Sequence, residues 1–92
     1  MKRVALYDIS DSTLREKVSS MLMDYGFIRI QKSAMVAEIK PHLLLQLKNK
    51  LDRITLQPNE DIMILRLCRD CEKDIYRVTS KALPTQVPVI VY

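Results

Sequence analysis

The stretch VALYDISDSTLREKV, Val4–Val18, decides the fold. An apolar run rich in strand formers stops at Asp8, polar turn residues follow, and a helical repeat then begins. RVALYD (Arg3–Asp8) reads as a buried strand. The following SDST supplies turn and cap chemistry, with Thr13 and Glu16 at the S/T-x-x-E spacing of a capping box. Leu14, Val18, Met21, Leu22 and Tyr25 recur at intervals of three and four, one face of an amphipathic helix. Gly26 then stands at the C′ position, where a left-handed residue closes a helix.

Working outward, FIRIQKSAMV (Phe27–Val36) alternates as a strand that bends near Ser33 or divides into two. PHLLLQLKNKLDRI (Pro41–Ile54) puts Pro at a first helical position and Leu44, Leu47, Leu51 and Ile54 on one face. DIMILRLC (Asp61–Cys68) reads as another buried strand, and IYRVTSKA (75–82) and VPVIVY (87–92) as two further short ones. The order predicts an α+β fold, a ferredoxin-like βαββαβ sandwich with extra C-terminal strands, over a single domain spanning 1–92. Both helices then lie on one side of the sheet, and nothing in the chain covers the other. Val4, Leu6, Ile30, Met63 and Leu65 contribute to one face or the other. A homodimer stacked sheet on sheet covers the exposed face, supported by C-terminal strands from about residue 75 onward.

The 92 residues are near the small end of what folds around its own core, and 48% hydrophobic against 28% charged is a globular composition. A single glycine leaves no flexible linker. No apolar run approaches the roughly 18 residues that span a bilayer. The opening Met-Lys-Arg leads into too short a run for a signal peptide, so no membrane contact and a cytoplasmic location are expected. A net charge of +4 is compatible with nucleic acid without requiring it.

The same counts exclude several chemistries. One glycine cannot build a phosphate-cradling loop, and one histidine, His42, leaves acyl transfer and zinc hydrolysis without parts. Cys68-Arg69-Asp70-Cys71 is a single CxxC, half the ligand set of a structural zinc site. A redox CxxC opens a helix after the first strand of a thioredoxin-like fold, whereas this motif follows a late strand. A buried Cys68 and an incidental Cys71 are therefore expected.

Asp8 has two readings: a turn-starting acid, or a ligand at the rim of a sheet. One carboxylate alone holds Mg²⁺ poorly, and a two-fold dimer brings a second copy of Asp8 toward the same axis. Arg15, Lys17, Arg29 and Lys32 read either as a solvated basic face or as a ridge contacting phosphates. Tyr7 and Tyr25 can stack on bases, but with five aromatics in all most must serve the core.

From Tyr7 to Ser33 the chain resembles the CRISPR-associated Cas-two family, the small partner in spacer acquisition. Tyr7-Asp8 at a strand end, Arg15 and Lys17 on a helix closing at Gly26, and Gln31-Lys32-Ser33 match its pattern in order and spacing. The match covers about a third of the chain. The resemblance implies a symmetric homodimer with a C-terminal strand added to the partner's sheet. It implies an interfacial Mg²⁺ or Mn²⁺ site at Asp8 of both chains, with Asp8 catalytic and Tyr7, Arg15, Lys17 and Arg29 contacting substrate. The implied activity is a metal-dependent endonuclease on single-stranded RNA or double-stranded DNA, in antiviral defence. A duplex-bridging role beside a CRISPR integrase subunit is also implied. A catalytically silent adaptor of the same fold is one alternative, and a ferredoxin-like dimer binding a small regulatory ligand is another. One departure is visible: Met35 stands where the family carries an aromatic residue.

Overall fold

The computed structural model describes residues 2–79. Its elements run β1 (Lys2–Asp8), α1 (Ser12–Asp24), β2 (Ile28–Gln31), β3 (Ala34–Glu38), α2 (Pro41–Asp52), β4 (Asp61–Leu67) and α3 (Arg69–Lys73). The strands form one sheet in the order β2-β3-β1-β4, with every neighbouring pair antiparallel. This is the expected ferredoxin-like sandwich. Non-adjacent β1 and β2 leave room for β3 between them, and α1 makes the crossover.

Side chains of β1 alternate across the sheet. Ala5 and Tyr7 point to the helices and join Val18, Leu22, Met35, Leu43, Leu44 and Leu47 in the main core. Val4 points the other way, into a smaller cluster with Val36 and Leu67 against which Leu6 and Ile30 pack. Met35 is fully buried opposite Ala5, so its side chain serves the core.

Local chemistry explains the helix ends. The cap of α1 is Asp11, whose carboxylate accepts from the Thr13 and Leu14 amides at 2.9 and 3.1 Å. The Thr13–Glu16 capping box does not form, because the helix begins at Ser12 and Thr13 is already inside it. At the other end Gly26 adopts φ 89°, the Gly26 amide donates to Met23 and the Phe27 amide to Leu22. That pair of bonds is a Schellman closure, and the positive φ is why glycine stands there. Pro41 opens α2 as expected.

Of the two readings of Phe27–Val36, division holds: two strands flank a turn at residues 32–33, with a register shift between Arg29 and Gln31. Two other expectations change. Among the described strands β4 lies at an edge rather than buried; Met63 is 49% and Leu65 36% exposed. Finally, a short helix, α3, follows β4, and residues 75–79 form turn and coil instead of starting a strand. The rest of the expected C-terminal strands, from residue 80 on, lies outside the described residues.

The sheet face opposite the helices is not bare. After α3 the chain turns back, and Arg77 donates to the Ile30 carbonyl on the far edge strand at 3.2 Å. Val4, Val36 and Leu67 are buried on this face, and exposure concentrates on β4. No helix among the described residues is long and apolar enough to cross a membrane.

Candidate metal and nucleic-acid site

Asp8 is the last residue of β1 and is exposed. Alternation sends it to the face away from the helices, whereas neighbouring Tyr7 points into the core. Pairing of β1 with β4 sets Asp8 directly across from Asp61, which is also exposed. Directly paired residues have Cβ atoms roughly 4.5–5.5 Å apart, so one chain presents two neighbouring carboxylates. They share a depression of about 300 Å³ with Leu6, Ser33 and Met63.

The backbone beside Asp8 is fixed from below by Glu60, a buried acid on the loop before β4. Its carboxylate accepts from the Gln57 amide at 2.8 Å, from Ser10 at 2.9 Å and from Asp11 at 3.3 Å. These bonds, that from Gln57 above all, outweigh partial desolvation and hold the carboxyl below its ordinary 4.5. A lowered native value means that the carboxylate's contribution is complete above pH 4.5 and is lost as pH falls through the native value. Hydrogen-exchange protection of the Ser10, Asp11 and Gln57 amides is therefore expected to hold at neutral pH and collapse together on acidification. In Glu60→Ala it should be weak at every pH.

Three of the four predicted basic residues gather on the other side of the sheet. Arg15, Ser19, Arg29 and Lys32 line a cleft of about 360 Å³, with the Tyr7 hydroxyl at its floor. Arg29 is the organising group. One guanidinium nitrogen donates to the Tyr7 hydroxyl at 3.0 Å and to the Lys32 carbonyl at 2.6 Å; the other donates to the buried Ser19 hydroxyl at 2.6 Å. Arg15 donates to the Ile9 carbonyl at 3.1 Å, tying α1 to the end of β1. The structure thus brings together Tyr7, Arg15 and Arg29, leaves Lys17 exposed on α1 outside the cleft, and sets Asp8 on the opposite face. The Tyr7 and Tyr25 rings are both buried, so neither offers a stacking surface.

Asp61 and Glu60 escape sequence reasoning. The one signal for Asp61 is that DIMILRL begins on an acid as RVALYD ends on one, which matters only once the two strands are known to pair antiparallel. A glutamate before a strand carries no signal at all.

Residues 1–75 match the family described as CRISPR associated protein Cas2. The chain belongs to this family. It is 44% identical over 66 residues to a protein of Pyrobaculum aerophilum named CRISPR-associated endoribonuclease Cas2 2, covering 72% of each chain. It is 38% identical over 64 residues to a CRISPR-associated endonuclease Cas1/endonuclease Cas2 fusion of Thermoproteus tenax, 70% of this chain and 24% of the fusion. Among solved structures, Streptococcus pyogenes Cas2 at pH 6.5 superposes with a TM-score of 0.71 at 19% identity, over 85% of this chain and 99% of that one. That last likeness establishes the fold alone.

The family resemblance implies a divalent metal, so the donor set has to be weighed. Among the described residues no three His, Cys, Asp or Glu side chains gather where they could hold a metal ion. Two adjacent exposed carboxylates do fit a hard cation that keeps most of its water and takes a substrate phosphate, the habit of Mg²⁺.

Proposed function

We propose that the chain is a divalent-metal-dependent endonuclease of CRISPR spacer acquisition that works as a symmetric homodimer. The observation that carries this reading is the placement of Asp8: an exposed carboxylate at the end of the central strand, on the sheet face where β4 exposes Met63 and Leu65. A second copy stacked on that face brings two Asp8 side chains to one axis. Asp8, with Asp61 beside it, would hold Mg²⁺ or Mn²⁺. The metal would supply charge neutralisation at the scissile phosphate and lower the pKa of a bound water.

The chain's own residues do the remaining work. Glu60 holds the Ser10–Asp11 backbone so that Asp8 keeps its direction. Lys17 and Lys32, both exposed, contact the nucleic-acid backbone as point charges without reading sequence. Arg29 and Arg15 shape the cleft and lend charge to it, although part of each guanidinium is engaged internally.

The Thermoproteus fusion supports a second role on the same fold. A relative that joins both proteins in one chain is what a stable partnership with an integrase subunit would produce, with this chain bridging the duplex. Wild-type protein is therefore to be incubated with single-stranded RNA and with duplex DNA, in Mg²⁺ and in chelator, alongside sedimentation measurements. Cleavage in Mg²⁺ alone, by a dimer, supports the nuclease. Binding without cleavage in either condition leaves the adaptor. A stable monomer at micromolar concentration overturns the shared site.

A further inference from the structure

Position in the sequence argues against redox chemistry for Cys68-Arg69-Asp70-Cys71, since the motif follows the fourth strand. Placement in space argues the other way. Cys68 is the first residue after β4 and caps α3, its Sγ accepting from the Cys71 amide at 3.2 Å. Both thiols are free; Cys68 is half-buried rather than buried, and Cys71 is exposed, so reagents reach the pair. One turn of chain therefore already sets the Cys71 backbone against the Cys68 sulfur, without any demand on the rest of the fold.

We propose that Cys68 and Cys71 are a dithiol redox site, forming a reversible intrachain disulfide by exchange with a low-molecular-weight disulfide, RSSR. The Cys68 thiolate attacks one sulfur of RSSR; a Cys68–S–R bond forms and the other half leaves as a thiolate. Cys71 then gives its proton to solvent and attacks the Cys68 sulfur, closing the Cys68–Cys71 bond and expelling the second thiolate. Two protein thiols are oxidised by two electrons and RSSR is reduced to two RSH, so the exchange balances.

The roles follow from the local contacts. The Cys71 thiol, and after it the Cys71 amide, hold the Cys68 thiol below the ordinary thiol range; the contact with Cys68 raises Cys71. Cys68 is thus the attacking group and Cys71 the resolving one. In a reducing compartment such a pair cycles rather than staples the fold.

The location gives the exchange a consequence. α3 is tied back to the start of β1 by the Lys2–Glu72 ion pair, and from it the chain crosses the sheet to place Arg77 on the Ile30 carbonyl. A disulfide replaces the soft sulfur cap by a covalent one in the first turn of α3, just where that crossing begins. Oxidation fixes the origin of the segment that carries Arg77 to the Ile30 carbonyl, and reduction releases it. None of this depends on the nuclease reading.

The test uses the whole protein, reduced and desalted, then exposed to excess oxidised glutathione. Intact mass should show the loss of two hydrogens per chain, reversed by dithiothreitol. Trypsin cuts after Arg69, between the cysteines, so peptides that stay joined without reductant report the bond. On reduced protein at neutral pH, iodoacetamide should modify Cys68 about tenfold faster than Cys71. Cys71→Ser should stop at a lasting glutathione adduct on Cys68. A wild-type protein that accumulates stable glutathione adducts, joins two chains through these cysteines, or keeps both thiols unchanged overturns the proposal.

Discussion

Asp8→Asn is expected to lower Mg²⁺-dependent cleavage by more than about a hundredfold, because an amide oxygen is a poorer ligand than a carboxylate for a hard cation. Nucleic-acid affinity should survive, since the basic cleft lies on the other side of the sheet. Stability should not fall either. Asp8 is exposed and stands directly across the ladder from Asp61, so removing one charge relieves a like-charge pair. A loss of cleavage in a protein as stable as wild type is therefore the signature of a ligand, and a loss that tracks unfolding is not. Equal cleavage by the two proteins removes Asp8 from the site. Asp61→Asn makes the complementary measurement: a reduced metal affinity with Asp8 intact identifies the intrachain pair, and an unchanged one leaves Asp8 to its symmetry mate.

Arg29→Ala should cost about 2–3 kcal/mol of folding stability, read as a shift in the denaturant midpoint at constant m-value. The mutation strands the buried Ser19 hydroxyl and removes the fork that joins α1, β1 and the β2–β3 turn. Arg29→Lys should recover little, because an ammonium cannot donate along those fixed directions. The Arg29 guanidinium lends charge to the cleft that would receive substrate. Its geometry adds a separate role in holding the cleft together. Comparison with Lys17→Ala separates the two effects. Lys17 is exposed on α1 outside the cleft, so its loss should weaken binding and flatten the salt dependence with little change in stability.

Much of the architecture is legible from residue order. Alternation in RVALYD, the three-and-four spacing from Leu14 to Tyr25, Gly26 at a helix end and Pro41 at a helix start each report a local preference of the backbone. These preferences act over a few residues, so they can be read without knowing the fold. The misreadings have the same origin. Asp11 rather than Thr13 caps α1 because two adjacent residues both have capping side chains, and only the entry angle of the chain selects between them. The run DIMILRL looks buried because apolar content does not reveal that β4 lies at the edge of the four described strands.

For the site, sequence alone determined that Asp8 ends a strand, that arginines and lysines follow on a helix and a strand, and that the pattern is that of one family. Tertiary structure decided how these groups are distributed. Strand alternation separates Asp8 from the basic cleft by the thickness of the sheet, and antiparallel pairing supplies Asp61. A loop fifty residues downstream of Ser10 supplies the Glu60 carboxylate beneath the Ser10 amide. Such juxtapositions come from hydrogen-bond register between distant segments, which no spacing along the chain encodes. The CxxC lies between the two cases: its cysteines are three residues apart in any conformation, and the helical turn that opens α3 is what sets the Cys71 amide on the Cys68 sulfur.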